Sequence, residues 1–221
     1  MELIKDLCVY TWTNVSINNC NTYLIGGENP ILIDTGLEHC LNGVLNDIRK
    51  DGFDPEEIEC IISTHSHPDH FDGIRSFMQN DTKMALHPDE DKFLKAYGSE
   101  FFRMFGLSVP EYRIDHPLQE GEFKVKNTTL EIYHTPGHSP GSVAIYWPEK
   151  KALIPGDVIF QAGVGRTDFP GGDGNLLKNS IERLSKLDVE YLLPGHGEIV
   201  QGSSKVKRNF EYVAEVYYNL I

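Results

Sequence analysis

The chain has 221 residues, 40% hydrophobic and 24% charged, with a formal charge of −13, a balance that describes a water-soluble globular protein. A surface that acidic repels phosphate backbones, and no Lys/Arg cluster of useful size interrupts it, so nucleic acid is excluded as a partner. No apolar run approaches the roughly 20 residues that span a bilayer, and the N-terminus lacks a basic-then-apolar leader; both exclude a membrane partner and point to the cytoplasm. Cys8, Cys20, Cys40 and Cys60 form no Cys-x-x-Cys pair and read as reduced thiols.

Along the chain, strand-like runs fall at 8–13, 21–25 and 31–33. Leu37, Leu41, Val44, Leu45 and Ile48 then line one face of a first helix that Gly52 stops. The short β-branched run 60–63 reads as a buried strand, followed by a helix over 73–79, a strand at 83–86 and a helix opening at Pro88. Segment 97–117 carries Phe101, Phe102, Met104, Phe105, Leu107 and Tyr112 without clean periodicity. It is either a packed cover over a helix, or a lid, substrate wall or dimer contact. Strands follow at 130–133, 142–147, 152–154 and 191–193, with a helix over 175–187 between the last two. A closing helix over 203–220 has Val206, Phe210, Val213, Tyr217 and Leu220 as the face packed on a sheet. The basic stretch Lys205–Arg208 opens that helix as a solvated face. With no Gly-, Ser- or Pro-rich linker, residues 1–221 read as one domain.

The informative stretch is His65-Ser66-His67-Pro68-Asp69-His70. Three imidazoles and a carboxylate in six residues suit borderline divalent cations, and they leave a strand's carboxyl end, where α/β sheets carry chemistry. Three further segments set a ligand-type side chain beside glycine or proline just after an apolar run: His134-Thr135-Pro136-Gly137-His138, Pro155-Gly156-Asp157 and Pro194-Gly195-His196. Glycine and proline there let the backbone turn sharply and aim side chains into a shared cleft. Pro136 forbids a helix between His134 and His138. His39, His87 and His116 have no ligand context and read as surface residues.

In these segments the chain resembles the metallo-β-lactamase superfamily, whose signature is a His-x-His-x-Asp-His run followed at a distance by His, Asp and His. His65, His67, Asp69, His70, His138, Asp157 and His196 supply it in order, with Asp34 as the acid after the first strands. The resemblance implies an α+β fold, a four-layer αββα sandwich. It also implies two divalent metal ions, zinc with iron or manganese as alternatives: one held by His65, His67 and His138, the other by Asp69, His70 and His196, with Asp157 bridging. Asp34 and His134 would orient ligands from behind.

Such a site activates water against an electrophilic carbonyl, with Asp69 holding that water and passing a proton to the leaving group. No Gly-x-Ser-x-Gly elbow or recognisable cysteine nucleophile competes with this route. Zinc β-lactamases usually carry a cysteine where this chain has Asp157, which argues against a β-lactam. The stretch 165–173 looks like that of short glyoxalase II-like hydrolases and of persulfide dioxygenases. Where glyoxalase II has a lysine and then a tyrosine against glutathione, this chain has Arg166 and Asp168. Arg166 either grips a substrate carboxylate or braces its own loop through Asp168 or Asp173. The resemblance implies a small-molecule substrate, a thioester such as S-lactoylglutathione. The alternatives are an iron-dependent persulfide dioxygenase, or a non-catalytic binding module on the same fold.

Overall fold

Ile31, Leu32 and Ile33 are all completely buried, although successive side chains on a strand point to opposite faces. A strand apolar on both faces needs packing above and below, and this one requirement builds the architecture. The computed structural model of the chain describes residues 1–14 and 16–221. In the first half, β1 (Glu2–Ile4), β2 (Leu7–Tyr10), β3 (Thr22–Ile25), β4 (Ile31–Ile33), β5 (Cys60–Ile62), β6 (Lys83–Leu86) and β7 (His116–Pro117) form a seven-stranded sheet in sequence order. Pairing is antiparallel up to β4 and parallel from β4 to β7. Helix α1 (Glu38–Lys50) crosses between β4 and β5. The short α2 (Pro68–Phe71), α3 (Pro88–Phe93) and α4 (Ser99–Met104) follow, with a wide π turn over Leu94–Gly98 joining the last two.

In the second half, β8 (Gly121–Val125), β9 (Thr128–His134), β10 (Val143–Trp147), β11 (Ala152–Gly156), the hairpin β12 (Ile159–Phe160) and β13 (Gly163–Val164), α5 (Gly174–Leu184), β14 (Tyr191–Pro194), β15 (Val200–Gln201) and α6 (Ser203–Tyr217) complete the chain. Six of these strands form a second sheet in the order β15-β14-β11-β10-β9-β8. The inner faces of the two sheets interlock. Val9, Tyr23, Ile31, Ile33, Cys60 and Ile62 from the first meet Leu130, Ile132, Val143, Ile145, Ile154 and Leu193 from the second. The alternate residues Leu24, Leu32 and Ile61 face outward under α1, Phe71, Ile74 and Phe102. On the far side, Ala144, Leu153 and Leu192 lie under Leu177, Ile181 and Leu184 of α5 and Val206, Phe210 and Val213 of α6. The result is the expected four-layer αββα sandwich. Its central layers accumulate roughly 1.5–3 kcal/mol per buried large aliphatic or aromatic side chain.

Three expectations need correction. The helix placed at 73–79 starts earlier, as α2 at Pro68, and tightens into a 3₁₀ turn over Asp72–Phe77; Pro68, at the first helical position, sets that start. Helix α6 ends at Tyr217, leaving Leu220 73% exposed rather than packed. Strand β8, Gly-Glu-Phe-Lys-Val, is an edge strand whose charged outer face hid it from an apolar search. No helix among the described residues is long and apolar enough to cross a membrane.

Candidate metal centre

The seven expected ligands arrive on loops that all leave the same end of the two sheets. His65 and His67 follow β5, and Asp69 and His70 lie on α2. His138 sits in the turn between β9 and β10, Asp157 directly follows β11, and His196 directly follows β14. Close approach of these loops depends on glycine. A Cβ on Gly195 would strike the Asp157 carboxylate and the His70 ring, and one on Gly137, at φ +136°, would strike the Leu177 backbone.

Two sets of three converge. Ligand atoms of His65, His67 and His138 lie within 4.8 Å of one another, as do those of Asp69, His70 and His196. Asp157 stands between them, its Oδ2 3.5 Å from His138 Nε2 and 3.4 Å from His196 Nε2, its Oδ1 3.2 Å from His70 Nε2. The decisive feature is what these atoms lack. His65 Nε2, His67 Nε2 and His138 Nε2 are buried with no hydrogen-bond partner, a cost of about 1–3 kcal/mol each that a protein leaves standing only for a reason. Cations bound there would remove it, and the all-nitrogen-and-oxygen donor set fits zinc, iron or manganese.

Aiming groups surround the ligands. Asp34, at φ +57° after β4, accepts from the Thr64 amide (2.7 Å) and hydroxyl (2.8 Å) and pairs with His70 Nδ1 at 2.8 Å. His138 Nδ1 lies 2.7 Å from the Arg166 carbonyl, which places its proton there and leaves Nε2 free. His134 does not touch the ligands. It closes β9, with Nε2 3.0 Å from the Pro140 carbonyl, and so braces the turn that carries His138. His87, read from sequence as a surface residue, is half-buried: it caps α3 by accepting from the Asp89 amide at 3.2 Å and stacks on His134 with centroids 4.2 Å apart and planes at 11°. Although His87, Asp89 and His134 cluster, near-parallel rings cannot both direct in-plane lone pairs at one ion, so this group is no metal site. His39 and His116 are exposed.

Charge divides the centre. Burial, then the neighbouring imidazoles, hold His65 and His67 well below their usual pKa of 6.5, so both are neutral and ready to ligate. Burial opposes a charge on His70 and His196 too, but Asp157 outweighs it, keeping His70 well above 6.5 and His196 at about 9. Asp157 is correspondingly held well below 3.8, its burial outweighed by His196 and His70. The consequence for stability follows by linkage. For the depressed pair the unfolded chain binds more protons below 6.5, so their contribution disappears as pH falls past that value. For the raised pair the contribution is complete below 6.5 and disappears as pH rises, for His196 up to about 9. Metal-free protein is therefore expected to have its highest Tm near pH 6.5 and to lose stability on both sides. A Tm flat from pH 5 to 9 in chelator would show that this charge division is absent.

The cleft over these residues has a volume of about 390 Å³. Sequence reading missed Asn18 and Glu90, and it left segment 97–117 open between a packed cover and a lid, substrate wall or dimer contact. Asn18 donates to Asp69 Oδ2 at 2.6 Å from a loop with no pattern of its own. Phe101 lies 4.8 Å, centroid to centroid, from His67, and Phe105 and Phe169 join it as a wall. Segment 97–117 is thus split: Phe101 and Phe105 face the cleft, while Phe102, Leu107 and Tyr112 pack on the first sheet. Glu90 of α3, wholly buried, accepts from the Ser66 amide (2.8 Å) and hydroxyl (2.5 Å), the Ser139 hydroxyl (2.6 Å) and the Gly141 amide (2.7 Å). In sequence it looks like any acid in a first helical turn. Arg166 sits at the mouth with Nε and Nη2 on the two oxygens of Asp168 (2.8 and 2.7 Å) and its guanidinium 4.1 Å over the Phe169 ring, the bracing arrangement.

Comparison with known proteins agrees with this geometry. A Methanocaldococcus jannaschii protein named as a probable metallo-hydrolase is 38% identical over 188 residues, 81% of this chain and 88% of its own. Hydroxyacylglutathione hydrolase GloC of Haemophilus influenzae is 36% identical over 146 residues, 63% of this chain and 69% of its own. Among solved structures, TTHA1623 in a di-iron-bound form superposes with a TM-score of 0.72 at 32% identity, covering 93% of this chain and 96% of that one. The family profile described as the metallo-beta-lactamase superfamily matches residues 16–196. With the sandwich, the seven donors and this match in agreement, the chain belongs to the metallo-beta-lactamase superfamily and is a metallo-hydrolase of that family.

Proposed function

We propose that the chain hydrolyses a small acyl-thiol, with S-lactoylglutathione as the reference substrate, and that it works with two divalent cations. His65, His67 and His138 hold one, Asp69, His70 and His196 the other, and Asp157 serves both. The single observation that carries this reading is the set of three buried, unpartnered imidazole nitrogens on His65, His67 and His138, residues whose ligand atoms lie within 4.8 Å of one another. A relative named as a hydroxyacylglutathione hydrolase supports the thioester.

When bound, such cations lower the pKa of water to about 7 and polarise a carbonyl. The chain's own residues do the rest. Asp34 and the Arg166 carbonyl hold His70 and His138 in their ligating orientation. Asp69, kept ionised by His196 and steadied by Asn18, is the carboxylate placed to take the proton of attacking water and return it to the departing sulfur. The acyl carbon gains a C–O bond, loses its C–S bond, and the thiol leaves protonated. Among the described residues that line the cleft there is no serine, threonine or cysteine, which favours attack by water over attack by a hydroxyl or thiol of the chain. Arg166 borders the substrate at the mouth through the guanidinium face turned away from Phe169.

The test is elemental analysis of freshly purified protein together with assay of S-lactoylglutathione and simpler thioesters. Two zinc, manganese or mixed ions per chain with thioester cleavage is the expected result. One ferrous ion per chain, with oxygen consumed in the presence of a thiol persulfide and no thioester cleavage, would replace this reading by the dioxygenase alternative. A similar protein solved in a di-iron-bound form makes two iron ions with thioester cleavage an equal outcome of the first kind.

A further inference from the structure

We infer that the substrate of this site carries an apolar, preferably aromatic, acyl group and is recognised by a phenylalanine wall rather than by charge; this rests on the acyl-thiol reading above. Three observations converge. First, the cleft is walled beside His67 by Phe101, Phe105 and Phe169, whose rings meet edge to face at centroid distances of 5.3–6.2 Å. On the opposite side Phe160 lies 5.9 Å from His196, with Val164 beside it. The polar floor is thus flanked by apolar surface on both sides, so a carbonyl set over the donors must put a substituent against the rings.

Second, the wall is open to a ligand. Phe105 remains 46% exposed although it lines the cleft, and an exposed aromatic face next to reactive groups gains by being covered. Third, the cleft offers no free Lys or Arg among the described residues. Arg166 lines it and is engaged three ways, by both oxygens of Asp168 and by the Phe169 ring. Because the ion pair is exposed on both partners, it is weak by itself. The contact with Phe169, however, sets the guanidinium over that ring and makes it an extension of the wall. A thiol carrier with two carboxylates, such as glutathione, finds no free Lys or Arg among the described residues of the cleft to hold it. A phenyl or branched alkyl acyl group finds three rings.

The experiment compares thioesters of one uncharged thiol, N-acetylcysteamine, bearing acetyl, butyryl and phenylacetyl groups, with S-lactoylglutathione, on full-length protein of measured metal content. The expected result is a kcat/KM at least tenfold higher for phenylacetyl than for acetyl, with S-lactoylglutathione below phenylacetyl. Phe105→Ala should shrink the phenylacetyl-to-acetyl ratio at least fivefold, and Phe105→Leu by less, with metal content and Tm held. In parallel, calorimetry follows a non-cleavable phenacyl thioether, whose binding should weaken at least fivefold in Phe105→Ala. Preference for S-lactoylglutathione over phenylacetyl by tenfold, or a selectivity ratio untouched by Phe105→Ala, overturns the inference. If two-metal protein cleaves no thioester, the acyl-thiol reading fails instead. The calorimetry then still decides the wall, which falls if the phenacyl thioether binds wild type and Phe105→Ala alike.

Discussion

Asp157→Ala is expected to lower thioester hydrolysis by more than the roughly 100-fold that losing an outer partner of a metal ligand costs, and to reduce bound metal below two ions per chain. The carboxylate stands within 3.5 Å of three imidazoles drawn from both triads, so its removal opens both at once. It also removes the main counter-charge of His70 and His196. Their pKa values should fall, and the loss of metal-free stability between pH 6.5 and 9 should fade with them. Asp157→Asn separates shape from charge: it keeps the volume, and it too should flatten the alkaline limb and release metal. A thioester assay, elemental analysis and a Tm–pH series in chelator check these three effects, and a circular dichroism spectrum checks that the fold is kept. A variant that retains two ions and full activity would remove Asp157 from the centre.

Much of this was readable from residues because the signals were local. Ile31–Ile33 and Cys60–Ile62 are buried on both faces and therefore continuous in apolar character, and Leu177, Ile181 and Leu184 keep helical spacing because one face of α5 meets the second sheet. The candidate ligands were legible for another reason: His65–His70 crowds four donors into six residues, and the turns that carry His138, Asp157 and His196 need the glycine that precedes each. What was not legible depends on contacts between distant segments. Asn18 reaches Asp69 across 51 positions, and Glu90 reaches Gly141 across the same span. Neither residue type is unusual where it stands. Phe101 and Phe102 are adjacent and equally buried, yet one faces the cleft and the other the core. Irregular helix, with a π turn just before it, rotates the two faces in a way that no fixed period encodes.

Glu90→Ala should be the most destabilising single change outside the ligands. The carboxylate is wholly buried, pairs with no cation among the described residues, and is held by four donors alone. Three of those donors sit beside ligands, two on Ser66 between His65 and His67 and one on Ser139 next to His138, so Glu90 ties together the two loops that form the three-histidine set. Truncation leaves the Ser66 and Gly141 amides unpaired in the interior at about 1–3 kcal/mol each, plus the void, for roughly 3–5 kcal/mol in all. At about 2–4 °C per kcal/mol for a chain of this size, Tm should fall by about 10 °C or more. Glu90→Gln keeps the volume but turns an NH₂ toward donors that need an acceptor, so it should recover only part of the loss. Both variants should release metal to a chelator faster than wild type, because His138 is then free to move away from His65 and His67. Thermal melts and chelator competition measure the two effects separately. A Tm within about 3 °C of wild type together with unchanged metal retention would mean that the sandwich core alone sets the spacing of the two loops.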